Sequence, residues 1–215
     1  MEASLGSRRP KGLHYFCCIG AVLAASLTLL AAGPRTFTVD TSRSKALIDV
    51  GKAGAFSFAG HTHEVEAPLT NGVVHFDADN ISKSDLRLQF DAAAMKVTGK
   101  NDPPADVPKV TEAMLGEQVL DVKRYPSITF ESTAVSGRGP ASALDLQITG
   151  NLTIRGTTKP VRAATTATID GDTLTATGRF AIKQTDFGIK PISVGGVVKV
   201  KDELSIAFTI VARER

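Results

Sequence analysis

Residues 144–154 read LDLQITGNLTI, and this stretch decides the fold. Apolar side chains occupy every second position from Leu144 to Ile154 except Gly150, and polar side chains occupy most positions between them. Successive side chains of a β-strand point to opposite faces, so the pattern predicts a long strand with one buried and one solvated face. Gly150 interrupts the apolar face, and we expect a bulge or a sharp bend there.

The same alternation recurs elsewhere in the chain, in residues 86–90, 174–182 and 204–210. Short segments rich in glycine, asparagine, aspartate or proline separate the predicted strands and are typical of hairpin turns. Regular strands joined by such turns predict an all-β fold, either a sandwich or a barrel. The turn segments are residues 71–72, 137–140, 170–172 and 195–196.

One segment departs from this alternation. Residues 101–108 are rich in proline and aspartate and predict a loop. Residues 109–120 then space their apolar side chains in a roughly helical way. We therefore expect one or two short helices in this segment, ended by Tyr125-Pro126.

A barrel with one apolar face per strand can hold that face inside or turn it toward lipid. A membrane barrel needs belts of aromatic side chains at both interfaces. The chain has no Trp, and Tyr125 is the sole Tyr after residue 34. The sequence therefore favours a barrel with an apolar lumen, which side chains or an apolar ligand must fill.

The first 33 residues have the pattern of a cleavable signal peptide. Arg8, Arg9 and Lys11 precede an uncharged, mostly apolar stretch over residues 13–30, and small residues follow it. A transmembrane anchor is the alternative interpretation of that stretch. We expect residues 1–33 to be removed, residues 34–215 to form one domain, and the mature protein to be periplasmic or secreted.

Charge and cysteine content exclude several classes of function. Residues 34–215 carry 22 basic and 21 acidic side chains, interspersed along the chain, so we expect no nucleic-acid partner. Cys17 and Cys18 both lie within the predicted signal peptide. The mature protein would then have neither a disulfide nor thiol chemistry.

Several separated segments together resemble the YceI-like family of exported, lipocalin-like proteins, also called polyisoprenoid-binding. They occur in the family's order and span nearly the whole predicted domain. The matching segments are residues 37–40 (FTVD) with Ser44, 125–132 (YPSITFES), 150–161 (GNLTIRGTTKPV), 185–189 (TDFGI) and 200–206 (VKDELSI).

The resemblance implies an extended antiparallel β-barrel with a short helical segment and a long apolar tunnel. It also implies an isoprenoid lipid or quinone as the ligand, an apolar small molecule in either case. The alternative is that the same side chains simply fill a closed core. The candidate lining residues are Phe56, Phe58, Phe90, Phe130, Leu146, Phe180 and Phe208.

A Gly-His-x-His motif at residues 60–63 departs from the usual family pattern. In this respect the chain resembles a variant branch of the family that carries such a motif. His61 and His63 are two apart and would share one face of a strand, as metal ligands do. They have the opposite parity to Phe56 and Phe58, so they would face away from a lumen lined by those residues unless Gly60 forms a bulge.

The histidine pair leaves three roles open: a metal site, a polar or catalytic contact with a ligand, and a structural contact at a strand end. A metal site needs further ligands, for which Glu64, Glu66, His75 and Asp186 are available. The sequence shows neither a serine nucleophile elbow nor a dinucleotide-binding motif. We therefore expect a binding protein rather than an enzyme, with any chemistry resting on the histidines.

Three functions follow from the sequence as hypotheses. The first is an exported carrier of an isoprenoid or similar apolar molecule. The second is a metal-dependent binding protein or enzyme that uses His61 and His63. The third is a closed-barrel stress-response protein. An exposed edge strand would also permit a homodimer.

Overall fold

Antiparallel strands make up most of the protein, which the computed structural model describes over residues 1, 33–53, 62–194 and 198–215. Apart from Met1, these residues belong to one unit, Ala31–Arg215. The prediction of an all-β fold is confirmed. The strands described are β1 (Arg35–Val39), β2 (Lys45–Ala53), β3 (His63–Ala67), β4 (Leu69–Phe76), β5 (Asp85–Asp91), β6 (Lys96–Val97), β7 (Ser127–Arg138), β8 (Leu144–Ile154), β9 (Thr157–Asp170), β10 (Thr173–Lys183), β11 (Ser193–Val194) and β12 (Val198–Glu214).

Eight of these strands form a closed antiparallel ring in the order β1-β4-β5-β7-β8-β9-β10-β12. Pairing of β12 with β1 closes the ring, with Phe37 opposite Glu214 and Val39 opposite Ala212. Closure leaves no unpaired edge within the ring, so its backbone groups are satisfied by neighbouring strands. The lipocalin-like barrel expected from the sequence is confirmed.

The wall is longer at one end because β2, β3 and β6 add to it beyond β12. β12 is 17 residues long and pairs along one edge with both β1 and β2, and along the other edge with β10. β3 continues into β4 with only Pro68 between them. β12 therefore pairs with strands of both the ring and the extension, and the β3–β4 segment runs from the extension into the ring.

β8 shows that the apolar side chains face the inside of the barrel. Leu144, Leu146, Ile148, Leu152 and Ile154 are all buried, while the residues between them are exposed or half-buried. The alternation predicted the strand and its buried face correctly.

The bulge expected at Gly150 lies in the neighbouring strand instead. The pairing of β7 with β8 shifts between Ser132 and Ala134, opposite Gly150 and Thr149. β8 itself pairs with β9 without interruption. The extra residue is thus Thr133 of β7, and the glycine accommodates a ring from that strand, as described below.

Two of the predicted turns are present. Gly171 joins β9 to β10 with φ of 57°, a left-handed conformation that glycine adopts at little cost. Gly139, with φ of 112°, lies in the turn between β7 and β8, where the Ala143 amide donates to the Pro140 carbonyl at 2.8 Å. The predicted turn at residues 195–196 lies outside the described residues.

The turn predicted at Asn71-Gly72 is wrong. Both residues lie inside β4, where Gly72 pairs with Leu88 of β5. A Cβ atom at Gly72 would lie 2.5 Å from a methyl group of Val39 and 2.9 Å from one of Leu88. Glycine is required here because side chains of two neighbouring strands fill the space that a Cβ atom would occupy. A turn rule based on neighbouring residues in the sequence cannot detect this contact.

The helical prediction is confirmed with shifted bounds, because α1 spans Val107–Leu115. Pro108 lies in its first turn, where a missing amide proton costs no hydrogen bond. The helix ends at Gly116, whose amide donates to the Glu112 carbonyl at 3.0 Å. Its apolar residues Val110 and Met114 pack against the core at one end of the barrel.

An ion pair crosses the seam that closes the barrel. Arg35 of β1 donates two hydrogen bonds to Glu214, from Nε to Oε1 at 3.0 Å and from Nη2 to Oε2 at 2.5 Å. The hydrogen bond from Arg35 lowers the pKa of Glu214, against burial and the nearby charge of Asp172, which both raise it. The Arg35 guanidinium also lies 4.9 Å from the centre of the Phe37 ring.

We expect Glu214→Gln to lower the free energy of unfolding at neutral pH, with a loss that disappears in acid. The folded-state pKa of Glu214 lies below that of an unfolded glutamate, about 4.3. The pair therefore stabilises the barrel above that value, and the effect is lost as the pH falls through the folded-state pKa. Urea unfolding of both proteins over this pH range measures the difference.

The matched control is Glu203→Gln, which removes an exposed carboxylate from the same strand. It should change the stability less at neutral pH, since exposed ion pairs contribute little. A Glu214→Gln loss that stays constant down to acid pH would contradict the assignment.

Candidate functional site

The barrel encloses an internal cavity of about 480 Å³. This volume lies within the range of roughly 300–1,000 Å³ that is typical of small-molecule sites. Inward-facing side chains of the ring strands, of β2 and β3, and of the segments around α1 form its wall, and nearly all are apolar. The polar residues on the wall of the described structure are His63, Ser84, Asp85, Lys109, Thr165 and Gln184.

Five of the predicted lining residues lie on the cavity wall. They come from five different strands and all face the lumen. They are Phe90 of β5, Phe130 of β7, Leu146 of β8, Phe180 of β10 and Phe208 of β12. Phe56, Phe58 and His61 lie outside the described residues, so their predicted roles stay predictions.

Three phenylalanines mark the middle of the lumen. The buried apolar residues form two clusters, and Phe90, Phe130 and Phe208 each pack against both. Phe180 lies beside Phe208, with their ring centres 6.4 Å apart and their planes at 56°. A tilted pair of this kind is a favourable aromatic contact. The rings of Phe90, Phe130 and Phe208 therefore connect the two apolar clusters.

Two glycines make room for these rings. A Cβ atom at Gly178 would lie 2.5 Å from the Phe208 ring directly opposite on β12. A Cβ atom at Gly150 would overlap the Phe130 ring. Both glycines occupy inward-facing positions, and a Cβ atom there would also meet a backbone carbonyl oxygen, at 2.5 Å from Gly150 and at 2.6 Å from Gly178. Each ring therefore reaches over the neighbouring strand where any side chain would displace it.

Sequence reasoning missed the residues that line the cavity at the end with α1. Their signal was weak because they come from irregular segments, where no periodicity marks the inward face. The segment after α1 contributes Val119 and Leu120, and the turn after β10 contributes Phe187 and Ile189. Lys109 of α1 also reaches the cavity, although its side chain is 78% exposed.

His63 faces the lumen. It shares its parity with the buried Val65 and Ala67 of β3 and lies on the cavity wall. Its Nδ1 lies 2.6 Å from Oδ1 of Asp102, whose side chain is 1% exposed. Of the two orientations that the sequence left open, the structure shows the inward one for His63.

Asp102 is a partner that no spacing in the sequence indicates. It lies in the predicted loop after β6, and β6 pairs with β3 through Val65 and Val97. Glu64 holds the same loop from the opposite face, because Lys100 Nζ and Thr98 Oγ1 each lie 3.1 Å from its carboxylate. The hydrogen bond from Lys100 is the main cause of the lowered pKa of Glu64.

The other proposed metal ligands do not converge on His63. Glu64 and Glu66 alternate with it along β3, and Glu66 pairs with Lys96 at 3.4 Å. His75 is exposed on β4 and hydrogen-bonds Thr36 Oγ1 at 3.2 Å. Among the described residues, no group of three or more His, Cys, Asp or Glu is arranged to hold a metal ion. The metal role of His61 and His63 stays a prediction.

A search of the described residues for membrane-spanning helices found none that is both long and apolar enough.

The closed barrel, its apolar cavity and its short helix define the class of lipocalin-like barrels. Within that class, the family model described as the YceI-like domain matches residues 37–212. The chain therefore belongs to the YceI-like family. The resemblance stated from the sequence is confirmed.

Relatives and solved structures agree with this assignment. A UPF0312 protein of Pseudomonas savastanoi pv. phaseolicola is 28% identical over 183 residues, which cover 79% of this chain and 86% of the relative. A UPF0312 protein of a Shewanella species is 39% identical over 83 residues, covering 35% of this chain and 41% of the relative.

Two solved structures share the fold at low sequence identity. Burkholderia cenocepacia BcnA has a TM-score of 0.58 and 23% identity, covering 80% of this chain and 98% of its own. A polyisoprenoid binding domain from Saccharophagus degradans, implicated in plant cell wall breakdown, has a TM-score of 0.58 and 10% identity, covering 83% of this chain and 98% of its own.

We expect Gly150→Ala to destabilise the barrel by about 1–3 kcal/mol, because the new methyl group would meet both the Phe130 ring and the Glu131 carbonyl oxygen of β7 in a packed wall. Urea unfolding followed by circular dichroism measures the change. The control is Gly51→Ala, where the Cβ atom would meet only the flexible Lys201 side chain, at 3.3 Å. Equal unfolding midpoints for Gly150→Ala and the wild type would show that Phe130 is not held against β8.

Proposed function

We propose that this protein is an exported carrier that holds an isoprenoid lipid, a quinone or a similar long apolar molecule inside its barrel. The observation that carries the proposal is the apolar cavity of about 480 Å³ within a closed ring of strands.

The wall suits a ligand that is bound by burial rather than by directional contacts. An apolar chain moved from water into such a cavity gains about 0.8 kcal/mol per methylene group. Leu146, Ile148 and Leu152 present a continuous apolar strip along β8, and Ala163 and Ala167 leave space beside it on β9. An elongated hydrocarbon fits this arrangement better than a compact polar metabolite.

Family membership supports the same class of ligand. One structural neighbour is a polyisoprenoid binding domain, and the likeness to it is one of fold. Export is supported by the composition of residues 1–33, which lie almost wholly outside the described structure. The periplasmic or secreted location is part of this proposal, and a homodimer stays a prediction.

We expect protein purified gently from its own cell envelope to carry an added mass of several hundred daltons in native mass spectrometry. The added mass should be lost on extraction with organic solvent, and its fragments should identify the lipid class. A mass equal to the bare chain would favour the closed-barrel alternative. A metal-sized increment would favour the metal-dependent alternative.

We expect Ala163→Phe to lower the amount of lipid bound to the purified protein severalfold. Ala163 is 6% exposed and faces the cavity, so a phenyl ring there would occupy the space of the ligand. Quantitative lipid extraction from equal amounts of purified protein measures the effect.

The matched control is Ala164→Phe, which makes the same change on the outer face of β9. It should leave the bound lipid unchanged. Equal lipid content in both variants and the wild type would place the ligand outside the lumen.

A further inference from the structure

His63 lies on the cavity wall, and its imidazole is hydrogen-bonded to the buried Asp102. Their side chains are 21% and 1% exposed, and a 2.6 Å contact joins His63 Nδ1 to Asp102 Oδ1. A carboxylate accepts and an imidazole N–H donates, so we assign the proton of this contact to Nδ1. In the neutral ring, the other nitrogen, Nε2, then carries a free lone pair.

The other buried polar side chains on the wall, Gln184, Ser84 and Thr165, each have a hydrogen-bond partner within the protein, and the bond of Thr165 is the longest, at 3.5 Å. Gln184 donates from Nε2 to the Lys201 carbonyl at 2.9 Å, and Ser84 Oγ accepts from the Asp77 amide at 3.0 Å. His63 differs, because Nε2 makes no hydrogen bond with any residue of the described structure. Oδ2 of Asp102 is also buried without a partner there.

With the proton on Nδ1, Nε2 is the acceptor of the pair that lies on the cavity wall, whereas Asp102 is buried and is not part of the wall. A ligand that supplies a proton to Nε2 therefore gains a hydrogen bond on binding. Ether, ester and unprotonated carbonyl oxygens cannot supply one, whereas a hydroxyl group can.

The position on the barrel agrees with a contact to the end of a ligand. His63 is the first residue of β3 and pairs with Val50 near the end of β2. β6, which pairs with β3, also contacts α1. A chain lying past Phe90, Phe130 and Phe208 would therefore present one of its ends to His63.

We propose that His63, oriented by Asp102, accepts a hydrogen bond from the terminal hydroxyl of the bound lipid and selects alcohol or phenol head groups. This inference rests on the proposed function, because it names the head group of the ligand carried in the same cavity. Asp102 is a positioning residue, since it acts by holding the proton on Nδ1 and thereby leaving Nε2 as an acceptor.

The test compares farnesol with farnesyl methyl ether, in which a methyl group replaces the hydroxyl proton. Isothermal titration of each into the delipidated mature protein measures the dissociation constants. We expect farnesol to bind about two- to tenfold more tightly than the ether, the range of one net hydrogen bond. In His63→Phe the preference should vanish or invert, because a hydroxyl buried without a partner is costly.

His63→Phe leaves Asp102 as a buried, unpaired carboxylate and could prevent folding. The double variant His63→Phe, Asp102→Asn removes that charge and should show the same loss of preference. His75→Phe is the matched control, because it replaces an exposed histidine on the outer face of β4. It should keep the wild-type preference for farnesol.

The outcomes separate this inference from the proposed function. Tight and equal binding of both probes by the wild type would overturn the head-group inference and keep the carrier function. If neither probe binds, both the head-group inference and the carrier function are overturned. A preference for farnesol that survives in the double variant would show that another group contacts the hydroxyl and would also overturn the inference.

Discussion

The hydrogen bonds that join β12 to β10 along one edge and to β1 and β2 along the other hold the barrel closed. Once the ring is closed, each backbone amide and carbonyl within it has a neighbour, and the side chains of one parity must point inward. The interior can then be filled only by those side chains or by a ligand. The apolar cavity is therefore a consequence of closure combined with the two-residue period of the strands.

The shape of the cavity depends on small residues as much as on large ones. The rings of Phe130 and Phe208 reach over Gly150 and Gly178, which have no side chain at these inward positions. Irregular segments around α1 complete the wall at one end, where apolar side chains from a helix and a turn replace the regular strand pattern.

A single polar pair stands out against this wall. β3 turns His63 inward with Val65 and Ala67, and the pairing of β6 with β3 brings the loop that carries Asp102 beside it. In an apolar cavity, burial supplies most of the binding free energy but distinguishes poorly among chains of similar length. A few directional contacts then decide specificity. A hydrogen bond between His63 and the ligand would be one of these contacts.

The sequence by itself determined the strands, the inward parity and much of the wall. The alternation in residues 144–154 predicted β8, and Phe90, Phe130, Leu146, Phe180 and Phe208 all lie on the predicted face. A two-residue period is a local property, so it can be seen without knowing what a strand packs against. The tertiary structure alone decided the volume of the cavity, the place of Gly72 within β4 and the pairing of His63 with Asp102. These features depend on distances between residues far apart in the chain, and only closure of the ring sets those distances.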